Sequence, residues 1–232
     1  MNILYLTYAN PEKENRGDHR YSMDTLRIFK QDCTHIHLIV MEDPDNPYDK
    51  NNSLLSSYCD KVTVVPFKAK SLARMVLSKY PASIENRYSK HFVDEVKKVL
   101  DNEHVDIIVV NHFKLSYIIE HLKRYPQKKV IITHDIEQDL SKSVYQGMAN
   151  IAKKIIYFFD YIKVRHYENK YIRQYDLITA ICDADRKFFS DATHKETILL
   201  TPIVDIQGIA TENDHSTWQP RTLIRLKMLI YM

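Results

Sequence analysis

The chain has 232 residues, of which 44% are hydrophobic, and its 33 lysines and arginines against 30 acidic residues give a formal net charge of +3. This length is sufficient for one globular domain with a full core, but two complete Rossmann-like domains would not fit. The small positive charge does not indicate binding to nucleic acid, so we expect no nucleic-acid partner.

The cysteines and the apolar segments indicate where such a protein would reside. Cys33, Cys59 and Cys182 lie far apart and form no Cys-x-x-Cys pair, which argues against a zinc ribbon or a disulfide framework and favours a reducing compartment. The opening residues MNILYLTYANP have the pattern of a first strand and not of a signal peptide. The run IIYFFDYI is short for a membrane span and contains Asp160. We therefore expect a cytoplasmic protein, soluble or peripheral at the inner membrane face.

Short β-branched apolar segments alternate with longer segments of helical periodicity. The predicted strands are residues 3–7, 35–41, 61–66, 105–110, 130–133, 177–181 and 197–200. Apolar residues recur at three- and four-residue spacings between them, which predicts helices over residues 22–31, 71–79, 89–100, 115–124 and 150–175. The alternation predicts an α/β fold with a doubly wound, Rossmann-like parallel sheet.

Four segments occur in an informative order: NILYLTY, RGDHRYSMDTLRIF, VIITHDIE and YENKYIRQYDLITAICDADRKFF. Together they resemble the amino-terminal domain of glycosyltransferases of the GT-B fold, in particular family four, which make bacterial surface polysaccharides. The resemblance covers residues 1–205, which we expect to form the acceptor-side half of a GT-B architecture. Residues 206–232 are expected to be a linker or an aberrant tail of a chain truncated before the donor domain.

The resemblance implies a metal-independent transfer of a sugar from a nucleotide-sugar donor, with no further cofactor, to a glycan or lipid-linked acceptor. In GT-B enzymes the carboxyl-terminal domain holds the nucleotide sugar through a glycine-containing loop and two glutamates, and neither feature is visible in this sequence. The nucleotide sugar would therefore bind through a missing or separate domain, and we expect this chain to be inactive without it.

Polar residues directly follow two predicted strands. The carboxyl ends of parallel strands face the crevice where ligands bind, so residues 134–137 and 111–112 become candidates. By resemblance, His134 is the catalytic candidate and would align the acceptor, while Asp135 and Glu137 support it or cap the next helix. A strand-end histidine bonded only to backbone remains an equal alternative. Asn111 and His112 are weaker candidates for substrate binding.

The loop after the first strand lacks the glycine pair that the family commonly has there. Its replacements are Gly17, His19 and Arg20. Arg20 could pair with an anionic group of the substrate, with help from His19. Arg20 could equally be a solvated residue of the first helical turn.

Two features of the last third of the chain admit more than one interpretation. The aromatic and basic helix over residues 150–175 could rest on anionic lipid, but packing against the core is the favoured interpretation. Within it, Glu168 matches a family glutamate and is expected to form a structural pair, for example with an arginine. Cys182 stands where the family usually has serine, so Asp183 is expected to take over the capping of the next helix.

Two other classes of function remain open. One is a noncatalytic module that binds an acceptor or a partner subunit. The other is an enzyme of related architecture such as a nucleotide-sugar epimerase, which the His-Asp-Ile-Glu segment disfavours. With only 3 glycines in the chain, the fingerprints of dehydrogenases, P-loop proteins and α/β-hydrolases are all missing.

Overall fold

The computed structural model describes residues 1–12, 16–32, 35–42, 47–51 and 53–201. Seven parallel strands form one sheet in the order β3-β2-β1-β4-β5-β6-β7. The strands are β1 (Asn2–Thr7), β2 (His35–Met41), β3 (Lys61–Val65), β4 (Ile107–Asn111), β5 (Lys128–Ile132), β6 (Leu177–Ala180) and β7 (Thr197–Leu199). The Rossmann-like sheet predicted from the alternating pattern is confirmed.

Helices connect the parallel strands, since parallel strands need crossover connections. They are α1 (Gly17–Asp32), α2 (Leu55–Tyr58), α3 (Leu72–Leu77), α4 (Ala82–Arg87), α5 (Lys90–Asn102), the 3₁₀ helix η1 (Phe113–His121), α6 (Glu137–Gly147), α7 (Ile151–Ile172) and α8 (Asp183–Thr193). Among these described helices, none combines the length and the apolar composition needed to cross a membrane.

Each side of the sheet has its own hydrophobic core. Alternate strand residues point to opposite faces, so Leu4 and Leu6 belong to one core while Ile3 and Tyr5 belong to the other. Helices cover both faces, which explains why the strands are almost continuously apolar.

The register aligns the carboxyl ends of the central strands. Thr7 of β1 pairs with Asn111 of β4, and Asn111 pairs in turn with Ile132 of β5. The strand order reverses between β1 and β4, because β2 lies on one side of β1 and β4 on the other. A reversal of this kind opens a crevice beyond the strand ends.

The structure differs from the sequence-based expectations in four helices. The segment predicted as a crossover helix at 115–124 is the shorter 3₁₀ helix η1, and no helix was predicted over the residues of α2, α4 and α6. At the start of α8, Cys182 Sγ accepts the backbone N–H of Asp185 at 3.5 Å. Asp183 pairs with Arg186 at 2.7 Å, so the expectation that Asp183 replaces Cys182 as the cap is wrong. The predicted tail, residues 206–232, lies outside the described residues.

Helix α7 packs on the core only through its second half. Val164, Glu168, Tyr171 and Ile172 are its buried residues. In the first half, Ile151, Ile155, Phe159 and Ile162 are 76%, 53%, 61% and 45% exposed. The favoured interpretation, packing against the core, holds for the second half, whereas in the first half the rings of Phe158 and Tyr161 pack on Tyr145 of α6 at 5.5 and 5.2 Å between centroids.

Candidate active site at the carboxyl edge of the sheet

Two histidines and a tyrosine meet where β1, β4 and β5 end. The rings of His112 and His134 lie 4.7 Å apart between centroids, and the ring of Tyr8 lies edge-on to His112 at 5.0 Å. Tyr21 of α1 closes the opposite side, edge-on to His134 at 4.9 Å. The strand-end positions selected from the sequence therefore form one cluster.

A chain of hydrogen bonds fixes the orientation and the tautomer of His134. The hydroxyl of Ser22 donates to the backbone carbonyl of Asp18 at 2.6 Å, so its oxygen accepts from Asn111 Nδ2, also at 2.6 Å. The side-chain oxygen of Asn111 then faces His134 Nε2 at 2.7 Å. An amide oxygen only accepts, so Nε2 carries the hydrogen of a neutral imidazole and Nδ1 keeps the lone pair.

Both histidines are electrically neutral near pH 7. Burial lowers the pKa of His134 to about 4, with a further lowering by the charge of Lys114 and an opposing effect of Asp18. Burial also holds the pKa of His112 well below its usual range, and the neighbouring His134 and Lys114 act in the same direction. A neutral histidine with a defined lone pair can accept a proton from a hydroxyl group.

His112 has an unusual backbone conformation, with φ 87° and ψ 142°. Its Nδ1 accepts the backbone N–H of Lys114 at 3.3 Å and lies 3.6 Å from Glu137 Oε1. Burial raises the pKa of Glu137 to about 7, although the charge of Lys114 opposes this. Non-glycine residues with strained backbones concentrate at functional sites, which supports a role for this strand end.

The sequence patterns did not select the charged residues Asp18, Arg16 and Lys114, which lie close to the histidines. The hydroxyl of Tyr8 donates to Asp18, and Arg16 Nη2 lies 2.9 Å from the same carboxylate. Burial raises the pKa of Asp18, but the bond from Tyr8 and the charge of Arg16 outweigh it and keep the pKa below its usual value. Lys114 Nζ stands 4.2 Å above the Tyr8 ring. Tyr8 directly follows β1, so the strand-end rule would have selected it.

The other predicted residues lie around this cluster with different exposure. His19 is buried in the first turn of α1, where its backbone N–H donates to Asp18 Oδ1 at 3.0 Å. Gly17 and Arg20 are exposed on the same turn, and a Cβ at Gly17 would meet no atom within 4 Å. Asp135 is exposed, and partial burial together with Asp185 raises its pKa. His134, Asn111, His112 and Glu137 thus form the interior of the site.

Glu168 holds the start of helix α6, which carries Glu137 of the cluster. Its carboxylate accepts the backbone N–H groups of Glu137 at 2.8 Å and Gln138 at 3.1 Å, at the amino terminus of α6. The expected structural role is thus present, but its partners among the described residues are backbone amides and not an arginine. Within the same part of the chain, no group of three His, Cys, Asp or Glu side chains is placed to hold a metal ion.

Comparison with known proteins identifies the fold. No protein-family model matches the chain, and no curated protein matches its sequence. Sucrose-phosphate synthase from Thermosynechococcus elongatus matches in structure with a TM-score of 0.57 and 12% identity, over 87% of this chain and 48% of that one. UGT2 of Phytolacca americana, in a complex with UDP-2fluoro-glucose and pterostilbene, gives 0.55 and 10%, over 91% and 55%.

UGT71G1 of Medicago truncatula, in a complex with UDP-glucose, matches with a TM-score of 0.54 and 10% identity, over 90% of this chain and 53% of that one. These neighbours are glycosyltransferases of the GT-B fold. At such low identities the likeness shows a shared fold, a seven-stranded Rossmann-like domain. The chain spans about half the length of the structures that it matches.

Proposed function

We propose that the chain is the acceptor-side half of a GT-B glycosyltransferase of the family-four type, acting in surface polysaccharide biosynthesis. It would transfer a sugar from a nucleotide-sugar donor, held by a separate donor domain, to a glycan or lipid-linked acceptor. The observation that carries the proposal is the buried, neutral His134, whose Nε2 hydrogen is fixed on Asn111 at 2.7 Å. The likeness in fold to glycosyltransferases supports it.

The transfer reaction places specific demands on this cluster. The acceptor hydroxyl gives its proton to Nδ1 of His134 while its oxygen attacks the anomeric carbon, and the nucleoside diphosphate leaves with the bonding electrons. The imidazolium that forms is attracted by Asp18, whose charge raises the pKa of His134. Lys114 lies over the Tyr8 ring and Arg16 beside Asp18, and their positive charges would favour negative charge on the leaving group.

A lipid-linked acceptor would bring the protein to a membrane surface, and α7 supports this part of the proposal. Ile151, Ile155, Phe159 and Ile162 recur at helical spacings and form one exposed row, here called the apolar stripe. Lys153 and Lys154 are exposed on the same helix. Apolar and basic side chains on one helix suit an anionic lipid surface.

A noncatalytic acceptor-binding or partner-binding module is the second candidate. The observation that favours it is burial, since His112 and His134 are only 5% and 7% exposed. A catalytic histidine must reach its substrate hydroxyl, whereas a histidine that only orders the strand ends need not.

The test begins by reading the coding DNA beyond the Met232 codon in all three frames, and the neighbouring genes, for a donor-type domain. Expressed together, the two halves are expected to transfer sugar from a nucleotide sugar, with nucleoside diphosphate release as the readout. His134→Gln should lower kcat by about a hundredfold or more. The control is His91→Gln on the exposed surface of α5, which should leave kcat unchanged.

Full activity of His134→Gln would show that His134 does not take the proton of the acceptor hydroxyl. Failure of any donor domain to restore transfer would favour the binding module.

A further inference from the structure

A cavity of about 370 Å³ opens beside the carboxyl ends of β2 and β3, apart from the histidine cluster. The segment after β3, helix α3 and helix α4 surround it. The lining residues that matter here are Phe67, Lys68, Lys70, Arg74, Arg87 and Tyr88. No predicted site residue belongs to this lining, so the cavity adds a second candidate binding site.

The lining carries an excess of positive charge. Lys68, Lys70 and Arg74 line the cavity, and among the described residues the carboxylate paired with them is Glu85, which lies 3.0 Å from Lys70 and 2.9 Å from Arg74. One carboxylate leaves these three cations with a net positive charge, so the cavity would attract an anion.

Lys70, Arg74 and Arg87 are held in place by contacts within the protein before any ligand arrives. Lys70 Nζ also donates to the carbonyl of Tyr88 at 2.8 Å, and Arg87 lies over the Phe67 ring at 3.9 Å. Lys70 and Lys68 come from the segment after β3, whereas Arg74 belongs to α3 and Arg87 to α4. A planar carboxylate can be bound by a single guanidinium with two hydrogen bonds. Donors that come from three elements suit a tetrahedral phosphate better, because they can surround it.

Two aromatic rings complete the lining. Phe67 and Tyr88 add apolar surface next to the cations. Apolar surface combined with a few polar or charged groups is typical of small-molecule sites. A ligand that offers both a ring and a phosphate would use both kinds of contact.

Arg87 connects the cavity to the histidine cluster. Its Nη1 donates to the carbonyl of Tyr8 at 3.2 Å, and its guanidinium lies 5.0 Å from the Tyr8 ring. The Tyr8 ring lies 5.0 Å from that of His112. A ligand anchored in the cavity would therefore extend toward the strand ends.

We propose that this cavity binds the phosphate or diphosphate group of a glycosyl phosphate acceptor. The inference rests on the proposed function, because it identifies the class of acceptor for the same reaction. The phosphate group could belong to a free sugar phosphate or to a lipid-linked one, and the cavity chemistry is the same for both.

Calorimetric titration of the full 232-residue chain with glucose 1-phosphate is the first arm of the test. The expected result is binding that weakens at least fivefold in Lys68→Gln and in Arg74→Gln. Lys90→Gln is the matched control, because it removes the same charge from the exposed start of α5, outside the cavity. Lys68 lies at the exposed rim, so Lys68→Gln tests the site without disturbing the bonds of Glu85.

The second arm replaces the soluble probe with dodecyl phosphate in phosphatidylcholine vesicles. Binding in only the first arm indicates a free glycosyl phosphate, and binding in only the second indicates a lipid-linked one; either supports the inference if Lys68→Gln weakens it. Binding in neither arm would overturn the inference, as would equal affinities of wild type and both cavity variants. Sugar transfer is not measured, so this failure would leave the proposed reaction standing.

Discussion

Glu137 and Glu168 place two carboxylates in the interior beside the histidine cluster. Burial raises the pKa of Glu168 to about 8, although the two backbone amides that it accepts act in the opposite direction. Burial raises the pKa of Glu137 to about 7. Both groups hold their protons more tightly in the folded than in the unfolded protein, so both link folding stability to pH.

The sign of this link gives a first prediction. The stability contributed by a raised carboxyl pKa is present below the unfolded value near 4.5 and is lost as pH rises through 7 and 8. Between pH 6.5 and about 7.5 the unfolded state still releases protons from the histidines whose folded pKa is lowered, so these histidines oppose part of the loss. We expect the free energy of unfolding in urea to fall by about 1 kcal/mol between pH 6.5 and 8.5.

Glu168→Gln should remove most of this fall, because it replaces the group with the higher pKa. Glu95→Gln, a change of the same kind on the surface of α5, should retain the full fall. A stability that rises with pH over this range would contradict the assignment.

The sequence identified part of this site because strand ends can be read from apolar segments. Asn111, His112, His134 and Glu137 were selected in that way, and the parallel register brings them together. Arg87 could not be found, because it reaches Tyr8 from α4, a helix that follows no predicted strand. The partners of Glu168 were equally hidden, since they belong to the backbone of another helix.

Among the elements, the strands were more predictable than the helices. All seven strands lie where their β-branched segments occur, because both faces of the sheet are covered and the strands are apolar throughout. Helix α6 escaped prediction since its apolar residues Leu140 and Val144 are exposed, leaving a weak pattern, and a remote side chain caps its start. The sequence revealed α7 but not that its first half packs on α6 and not on the core.

The apolar stripe of α7 gives a prediction about lipid binding. The double substitution Ile155→Ser and Phe159→Ser removes two side chains that are 53% and 61% exposed, each contributing about 1.5–3 kcal/mol when fully transferred from water. We expect its affinity for vesicles with anionic lipid to fall at least tenfold in a flotation assay. The melting temperature should stay within about 2 °C, because neither side chain is buried in the fold.

Leu54→Ser is the control, since Leu54 is 57% exposed but lies outside α7 and its apolar stripe. Wild-type affinity of the double variant would exclude the stripe as the lipid contact. A comparable loss in Leu54→Ser would indicate nonspecific adsorption.

In the whole molecule, one sheet separates two cores that share the strands β1, β2, β4, β5 and β6. Leu4 on β1 belongs to one core, and Leu38 on β2 belongs to the other. Loss of either core would expose the opposite face of the same strands, so the two cores cannot unfold separately. We therefore expect the sheet and both of its cores to unfold as a single cooperative unit.

Truncation of each core tests this coupling. Leu4→Ala and Leu38→Ala remove fully buried side chains, and each should lower the free energy of unfolding by about 3 kcal/mol. With fluorotyrosine incorporated, the ¹⁹F signals of Tyr117 in the first core and Tyr5 in the second should disappear at one urea concentration in every variant. Separate transitions would mean that one face can unfold alone, whereas a common shift would show that the sheet transmits the loss of packing from one core to the other.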